Sequence, residues 1–201
     1  MIVTKLEKID TKRTKVYIDD EYAFMLYPQD IRRYRLEEHA GLSEEKYHEI
    51  MKETVIRRAK QKAMALLKRA DRTEKELRLK LKQGEYPEAA IEEAVSYVMK
   101  YGYVDDERYL ENYLFYKKGN KSKRIMEFEL QQKGLSKEQI REQMEREEVN
   151  DEETIQKAIR KKIGTKSELS YEETQKVAAY LYRKGFKEDD IRKYLWNRVM
   201  E

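Results

Sequence analysis

The sequence contains no cysteine, only two histidines and no long apolar run. Without cysteine the chain can form no disulfide, no thiolate zinc site and no thiol nucleophile, and we expect it to work in a reducing compartment, the cytoplasm. Its apolar runs, such as residues 23–27, are far shorter than the roughly 20 residues that a membrane span needs. Because the start also lacks a signal-peptide pattern, we expect neither membrane insertion nor export.

Catalytic and cofactor-binding motifs are also lacking. Neither of the glycine-rich phosphate loops, G-x-G-x-x-G and G-x-x-x-x-G-K-[ST], occurs in the sequence. His39 and His48 are nine positions apart, which fits no helical pair of metal ligands, and we interpret both as surface histidines. Two acidic pairs could bind magnesium, but they stand where predicted helices begin and carboxylates cap backbone N–H groups: Asp105 with Asp106, and Asp189 with Asp190. We therefore expect no catalytic residue, no metal and no cofactor.

Apolar material is scarce, whereas charge is abundant. Asp, Glu, Lys and Arg make up 42% of the chain, against about 25% in typical soluble domains, and the mean hydropathy is -1.03. The net charge is only +4, and the apolar residues keep a regular spacing. We therefore predict a folded protein with thin cores rather than a disordered chain.

The first 27 residues are predicted to form strands. Residues 16–18 and 23–27 have the composition of strands, and residues 19–21 between them are typical of a turn. We predict a small β meander in this region. Pro28 is then expected to open the first helix and Gly41 to end it, and Ser43 is expected to start the next helix.

The rest of the chain contains an internal repeat, which is found when Leu81, Leu130 and Leu181 are superposed. The residues five and ten positions after these leucines can pack as hydrophobic staples, which fix the angle at which the chain enters a helix. Apolar residues coincide at four further offsets: four before (Leu77, Met126, Val177), five after (Tyr86, Leu135, Phe186), ten after (Ile91, Ile140, Ile191) and fourteen after (Val95, Met144, Leu195).

Each repeat is predicted to contain three helices. The starts of three helices carry capping boxes: Thr73 with Glu76, Ser136 with Gln139, and Ser170 with Glu173. Another helix precedes each stapled pair, and these helices carry stripes that we interpret as core-facing: Ala63, Leu66 and Leu67; Tyr109, Tyr113 and Tyr116; and Ile155, Ile159 and Ile163.

The predicted fold class is mainly α, with tandem three-helix repeats and a small N-terminal β meander or hairpin region. We predict four regions: 1–54 with the strands and leading helices, then three-helix repeats over 55–104, 105–150 and 151–201. A unit of about 50 residues has too little core to be secure alone. Neighbouring units are therefore expected to stack into an elongated, curved array.

Basic residues are segregated from acidic ones along the chain. Residues 57–82 hold eleven Lys or Arg against three acids, and two acid-free basic clusters follow, whereas acids gather over residues 142–153. Separated blocks produce a field that can steer a charged partner, which we favour over a simple solvated surface. The predicted binding surface consists of Arg57, Arg58, Lys60, Lys62, Lys68, Arg69, Arg72, Lys117, Lys118, Lys121, Lys123, Arg124, Arg160, Lys161 and Lys162.

Sixteen tyrosines are an unusual number. Clusters such as Tyr97, Tyr101 and Tyr103 could offer stacking faces to unpaired bases. Because tyrosines also recur at helical spacing, we favour packing over base stacking as their role.

Three segments together resemble the RecX family of bacterial recombination regulators. They are LLKRADRTEKELRLKLKQG (66–84), GYVDDERYLENYL (102–114) and FELQQKG (128–134). The resemblance covers residues 59–196, with two departures: Glu85 stands where a glycine is expected in the first repeat, and residues 164–170 form a longer linker in the third.

The resemblance implies a regulator that catalyses no reaction. Such a protein binds RecA recombinase and RecA filaments on single-stranded DNA, and it modulates, usually by inhibition, ATP hydrolysis, strand exchange and coprotease activity. Such a protein acts in DNA repair, recombination and the SOS response, and we expect a monomer lying along the filament groove. Direct DNA binding is left open beside RecA binding. Two alternatives are a stand-alone DNA-binding helical module, because three-helix units resemble helix-turn-helix packing, and a passive scaffold whose charges serve solubility.

Overall fold

A computed structural model describes residues 1–164, 166 and 168–196. The chain begins with a three-stranded antiparallel sheet in the order β1 (Val3–Lys8), β2 (Thr14–Ile18), β3 (Glu21–Leu26). Asp19 and Asp20 connect β2 to β3 with positive φ angles of 48° and 69°. Two such residues form the tight turn whose twist suits a hairpin. The predicted meander is confirmed.

The rest of the described chain is mainly helical, which confirms the mainly α fold class. The π-helical stretch Met51–Ile56 joins two of them without a break. The helices are α1 (Pro28–Tyr34), α2 (Glu44–Ile50), α3 (Arg57–Leu67), α4 (Glu74–Gln83), α5 (Glu88–Lys100), α6 (Asp106–Lys117), α7 (Lys123–Gln132), α8 (Lys137–Arg146), α9 (Glu152–Ile163), α10 (Tyr171–Arg183) and α11 (Glu188–Leu195).

The first helix ends earlier than predicted, so the assignment of its end to Gly41 is wrong. Arg35 has a φ of 47° and closes α1 in the left-handed conformation. The chain then turns back to the sheet. There Gly41 forms an isolated antiparallel β-bridge with Ile2, and the Val3 N–H donates a hydrogen bond to the Ala40 carbonyl at 3.0 Å. Local sequence signals cannot reveal this long-range pairing.

The repeat register is confirmed by burial. The fifteen superposed apolar residues lie in the cores, fully buried except for the half-buried Tyr86. The capping boxes at Thr73, Ser136 and Ser170 are all formed. The predicted four-region division and the predicted elongated, curved stacking stay predictions.

The residue four positions after each superposed leucine has the same backbone conformation in all three repeats, although it is Glu85 in the first and glycine in the others. Glu85, Gly134 and Gly185 have φ angles of 60°, 103° and 81°, so all three hold the left-handed position that follows a helix. The next residue in each repeat donates its N–H to the superposed leucine carbonyl, at 3.3, 3.2 and 3.2 Å. This is the Schellman arrangement, which glycine normally supplies.

The structure divides into two compact units, Met1–Asp105 and Asp106–Glu201. Unit 1 has one core, in which the sheet packs with the helices through to Val104. Unit 2 has two separate cores, one on α6–α8 and one on α9–α11.

The interpretation of the α6 tyrosines as a core-facing stripe is partly wrong. Leu110 and Leu114 are the buried residues of α6. Tyr109 and Tyr113 are half-buried against that core, whereas 69% of Tyr116 is exposed.

Candidate functional site

Among the predicted surface cations, Arg58 points into unit 1. Its guanidinium forms two hydrogen bonds with Asp30, Nη1 to Oδ2 at 2.5 Å and Nη2 to Oδ1 at 3.0 Å, and lies 4.5 Å from the centre of the Tyr27 ring. Asp30 is only 4% exposed. Burial lowers the pKa of Arg58, but the hydrogen bonds and charge of Asp30 outweigh it and raise that pKa overall. The geometry therefore gives Arg58 a structural role.

The other cations of α3 and the following loop differ in exposure. Lys60 pairs with Glu93 at 3.3 Å and lies 5.3 Å from the Tyr97 ring centre. Arg72 is half-buried, and its Nε has no hydrogen-bond partner in the described part of the chain. The four remaining cations are exposed: Arg57, Lys62, Lys68 and Arg69.

Tyr97, Tyr101 and Tyr103 form an exposed ladder at the end of α5. Their rings are 4.9 and 6.4 Å apart in sequence order, and the side chains are 36%, 60% and 49% exposed. The three rings pack against one another and Tyr97 packs against Lys60, so these tyrosines pack at the surface and not in a core. A groove lined by Arg57 and Lys60 also reaches Tyr97, so cations and aromatic faces are neighbours here.

The basic cluster between α6 and α7 is partly engaged within unit 2. Both Oε atoms of Glu129 contact the Lys121 ammonium at 2.5 Å, and Glu129 also accepts a hydrogen bond from the Tyr113 hydroxyl. Partial burial raises the pKa of Glu129, but the hydrogen bonds from Lys121 and Tyr113 lower it overall. Lys118 donates to the Glu147 carbonyl.

The remaining members of this cluster are Lys117, Lys123 and Arg124. Lys117 and Lys123 are half-buried, and Arg124 is exposed. The backbone N–H of Lys123 donates to Asp151 Oδ1 at 2.7 Å, which ties the start of α7 to the residue preceding α9. Asp151 is therefore a carboxylate that bridges two three-helix groups.

Lys121 of the α6–α7 cluster and Lys161 of the basic run on α9 both line one cavity of about 280 Å³ in unit 2, which we call the junction cavity. The α6–α7 loop, α9 and α10 supply its walls. Of the described residues that line it, none is Asp or Glu and five are cationic: Lys121, Lys157, Lys161, Arg183 and Lys184.

Close contacts hold the walls of the junction cavity together. The Ser122 hydroxyl donates to the Lys184 carbonyl at 2.7 Å. A Cβ on Gly185 would lie 2.7 Å from both Ser122 Oγ and Ile125 Cγ1, so only glycine permits this approach. Lys157 Nζ reaches Asn120 Oδ1 at 3.0 Å. The turn after α10 therefore rests directly on the start of α7.

Sequence reasoning found two of the five cations of the junction cavity and missed Lys157, Arg183 and Lys184. Lys157 stands four residues before Lys161, a spacing that puts both side chains on one helix face. This spacing could have predicted that Lys157 lies beside Lys161. The two α10 cations are brought to the cavity by tertiary packing alone. Of the other predicted residues, Arg160 is exposed, and Lys162 lies 5.5 Å from the Tyr180 ring centre.

The described part of the chain has neither a metal-binding cluster nor a membrane-spanning helix. Within residues 1–164, 166 and 168–196, no group of three or more His, Asp or Glu residues could hold a metal ion. No helix in that part of the chain is long and apolar enough to cross a membrane.

Family models, curated relatives and a solved structure that are similar to this chain all carry the same family name. The family models "RecX, first three-helix domain" and "RecX, third three-helix domain" match residues 59–97 and 150–195. The chain is similar to "Regulatory protein RecX" of Caldanaerobacter subterraneus subsp. tengcongensis, with 33% identity covering 97% of this chain and 98% of the relative. It is 28% identical to the protein of that name from Clostridium acetobutylicum, covering 94% and 92%. A solved structure, "Crystal structure of regulatory protein RecX", has a TM-score of 0.62 at 23% identity and covers 98% of both chains.

Proposed function

This chain belongs to the RecX family, and on that premise we propose that it regulates RecA recombinase. The proposed partners are RecA and RecA filaments on single-stranded DNA. The proposed effect is modulation, usually inhibition, of ATP hydrolysis, strand exchange and coprotease activity during DNA repair and recombination. The single observation that carries the proposal is the 33% identity over nearly the whole length of a relative named as a regulatory protein.

We also propose that this role needs no catalytic activity and no cofactor, and that it takes place in the cytoplasm. The protein catalyses no reaction of its own, binds no cofactor, acts in the cytoplasm and works as a monomer. Relatives named as regulatory proteins support a non-catalytic role.

Electrostatics supports a filament as the partner. A nucleoprotein filament carries a dense array of phosphates, and exposed cations steer a protein toward such a surface. Binding that depends on these cations weakens as the salt concentration rises. The structure engages Arg58 with Asp30 and Lys121 with Glu129. The cations that we propose for filament binding are therefore the less engaged ones: Arg57, Lys62, Lys68, Arg69, Lys117, Lys118, Arg124, Arg160, Lys161 and Lys162.

The test is the ATPase rate of RecA on single-stranded DNA. We expect the protein to change that rate, and we expect Lys118→Glu with Arg124→Glu to need a higher protein concentration for the same effect. The matched control reverses two charges on exposed residues of α8 in the same three-helix group, Lys137→Glu with Arg141→Glu. An unchanged ATPase rate at saturating, folded wild-type protein would overturn the proposal.

A second candidate function is direct binding of single-stranded DNA without RecA. The exposed ladder of Tyr97, Tyr101 and Tyr103 favours it, because unpaired bases stack on aromatic side chains for roughly 1–3 kcal/mol per base. We expect Tyr101→Ala with Tyr103→Ala to weaken the binding of a short oligothymidylate. Tyr171→Ala, which removes an exposed tyrosine elsewhere, is the control. Equal loss in both variants, or an affinity that does not change with salt, would exclude this function.

A further inference from the structure

We propose that the junction cavity is a phosphate-binding site, and that the phosphodiester backbone of single-stranded nucleic acid is the phosphate it receives. The inference rests on the proposed function and assigns one of its contacts to particular residues of unit 2. It concerns the cavity walls formed by the α6–α7 loop, α9 and α10.

The described lining of the junction cavity is strongly cationic. Among the residues that the structure describes, five cationic side chains and no carboxylate line this space of about 280 Å³. Glu129 neutralises Lys121. The structure pairs none of Lys157, Lys161, Arg183 and Lys184 with a carboxylate in the part of the chain that it describes. Clustered like charges repel one another, and a bound anion relieves that repulsion.

The types of donor and the size of the cavity both indicate phosphate. Arg183 supplies a planar fork that can bind two phosphate oxygens at once, and the lysines supply point charges. The volume of about 280 Å³ lies just below the roughly 300–1,000 Å³ typical of small-molecule sites. The cavity therefore suits a compact anion better than a large cofactor.

The framework of the cavity is already in place without a ligand. The Ser122 hydroxyl fixes the Lys184 carbonyl, and Gly185 allows the α10–α11 turn to lie against Ile125. Lys157 is held by Asn120 and approaches the Gly119 carbonyl at 3.5 Å. A site whose walls are fixed loses little conformational freedom when it binds.

The acidic side chain of a protein partner is the other occupant that a cationic cavity could take. Single-stranded nucleic acid is favoured because several exposed cations, including Arg124, Arg160 and Lys162, lie on the segments that carry the cavity. A chain of regularly spaced phosphates can contact such a set, whereas one carboxylate cannot.

The first experiment uses inorganic phosphate and the full chain without RecA. Thermal unfolding is compared in phosphate and in chloride at equal ionic strength for wild type, for Lys161→Ala with Arg183→Ala, and for Lys176→Ala with Lys187→Ala. The control pair removes two exposed cations outside the cavity, one on α10 and one at the start of α11. Phosphate stabilises proteins generally by exclusion, and the control captures that effect.

We expect phosphate to raise the melting temperature of wild type and control more than that of the cavity variant, because a ligand stabilises the state that binds it. An equal rise in all three proteins would overturn the site. Far-UV circular dichroism checks that the variants fold. If the double variant does not fold, Lys161→Gln alone replaces it, with the same expectation.

The second experiment identifies the source of the phosphate. The affinity for a short oligothymidylate is measured against salt concentration for the same three proteins. Each phosphate contact to a single strand contributes about 0.7 to the salt slope, so losing two contacts should lower the slope by roughly 1.4 in the cavity variant only. If the oligonucleotide binds all three equally while only the cavity variant loses its phosphate response, the nucleic-acid assignment is overturned in favour of a free phosphate compound.

Both measurements omit RecA, so they separate this inference from the proposed regulation. A protein that changes the RecA ATPase rate while failing both tests would keep its proposed function and lose this site. A protein that passes both tests while leaving the ATPase rate unchanged would keep the site and lose the proposed regulation.

Discussion

Unit 1 and unit 2 use their basic residues differently. In unit 1 the sheet and helices share one core, and Arg58 lies at its edge with its charge matched by the buried Asp30. In unit 2 two smaller cores are joined through polar contacts, such as Ser122 with Lys184, and four cations around the junction cavity lack carboxylate partners within the described chain.

The difference follows from the amount of apolar surface that each unit can bury. The sheet gives unit 1 additional buried residues, such as Val16, Phe24 and Leu26, so a cation can be enclosed there. Each three-helix group of unit 2 has only a small core. Its groups therefore meet at a polar junction, where solvent-accessible cations can contact a partner.

The largest effect should come from removing the enclosed cation of unit 1. Arg58→Ala leaves the Asp30 carboxylate buried without its partner, and breaking a buried ion pair in this way costs about 3–5 kcal/mol. Urea unfolding followed by far-UV circular dichroism measures the loss. Arg57→Ala, which removes the exposed neighbouring cation, should change stability by less than about 0.5 kcal/mol. Equal effects of the two substitutions would contradict the structural role of Arg58.

The corresponding experiment in unit 2 concerns the close approach at its junction. Gly185→Ala should cost about 2–4 kcal/mol, because a left-handed alanine costs about 1–2 kcal/mol and the Cβ overlaps Ser122 and Ile125. Gly119 has a similar positive φ of 74°, but a Cβ there would meet no atom of the described chain within 4 Å, so Gly119→Ala should cost only about 1–2 kcal/mol. Fluorescence of Trp196, the single tryptophan, follows unfolding of this unit. Equal costs would mean that the close approach has no energetic importance.

Periodic features of the fold could be predicted from the sequence. Superposing Leu81, Leu130 and Leu181 identified buried positions, and the three capping boxes marked helix starts that the structure confirms. Both features depend on local spacing, because helix geometry and backbone capping involve residues within a few positions of each other.

Features that depend on tertiary contacts could not be predicted. Basic sequence clusters included Arg58, but its partner Asp30 lies 28 residues away. The junction cavity combines Lys121 with Arg183, which no local pattern links. Tyr116 keeps the helical spacing of Tyr109 and Tyr113, yet it is exposed, because the α6 core contacts are made by leucines instead.

A smaller, pH-dependent effect is expected at the bridging carboxylate of unit 2. Burial raises the pKa of Asp151, although the hydrogen bond from the Lys123 N–H opposes the shift. A carboxyl group whose pKa is raised by folding stabilises the folded state when protonated, so its contribution decreases as pH rises from the unfolded value of about 3.9 through the folded value.

Asp151→Asn keeps an oxygen that can accept the Lys123 N–H but cannot ionise. At neutral pH we expect this variant to be slightly more stable than wild type, and we expect the difference to disappear as pH falls below the unfolded Asp pKa. Urea unfolding across that pH range, followed through Trp196, measures the difference. A variant that is less stable at neutral pH would mean that the charge itself stabilises the start of α7.

The smallest effect is expected at the position where unit 1 departs from the repeat. Glu85→Gly places glycine in the left-handed position that Gly134 and Gly185 hold in unit 2. It removes a strain of about 1–2 kcal/mol but adds freedom to the unfolded chain and deletes the exposed ion pair with Lys15. We expect a net gain of up to about 1 kcal/mol in urea unfolding, whereas Glu85→Ala should give none because alanine keeps the strain. A similar gain from both substitutions would indicate that the Glu85 carboxylate, rather than its backbone conformation, destabilises unit 1.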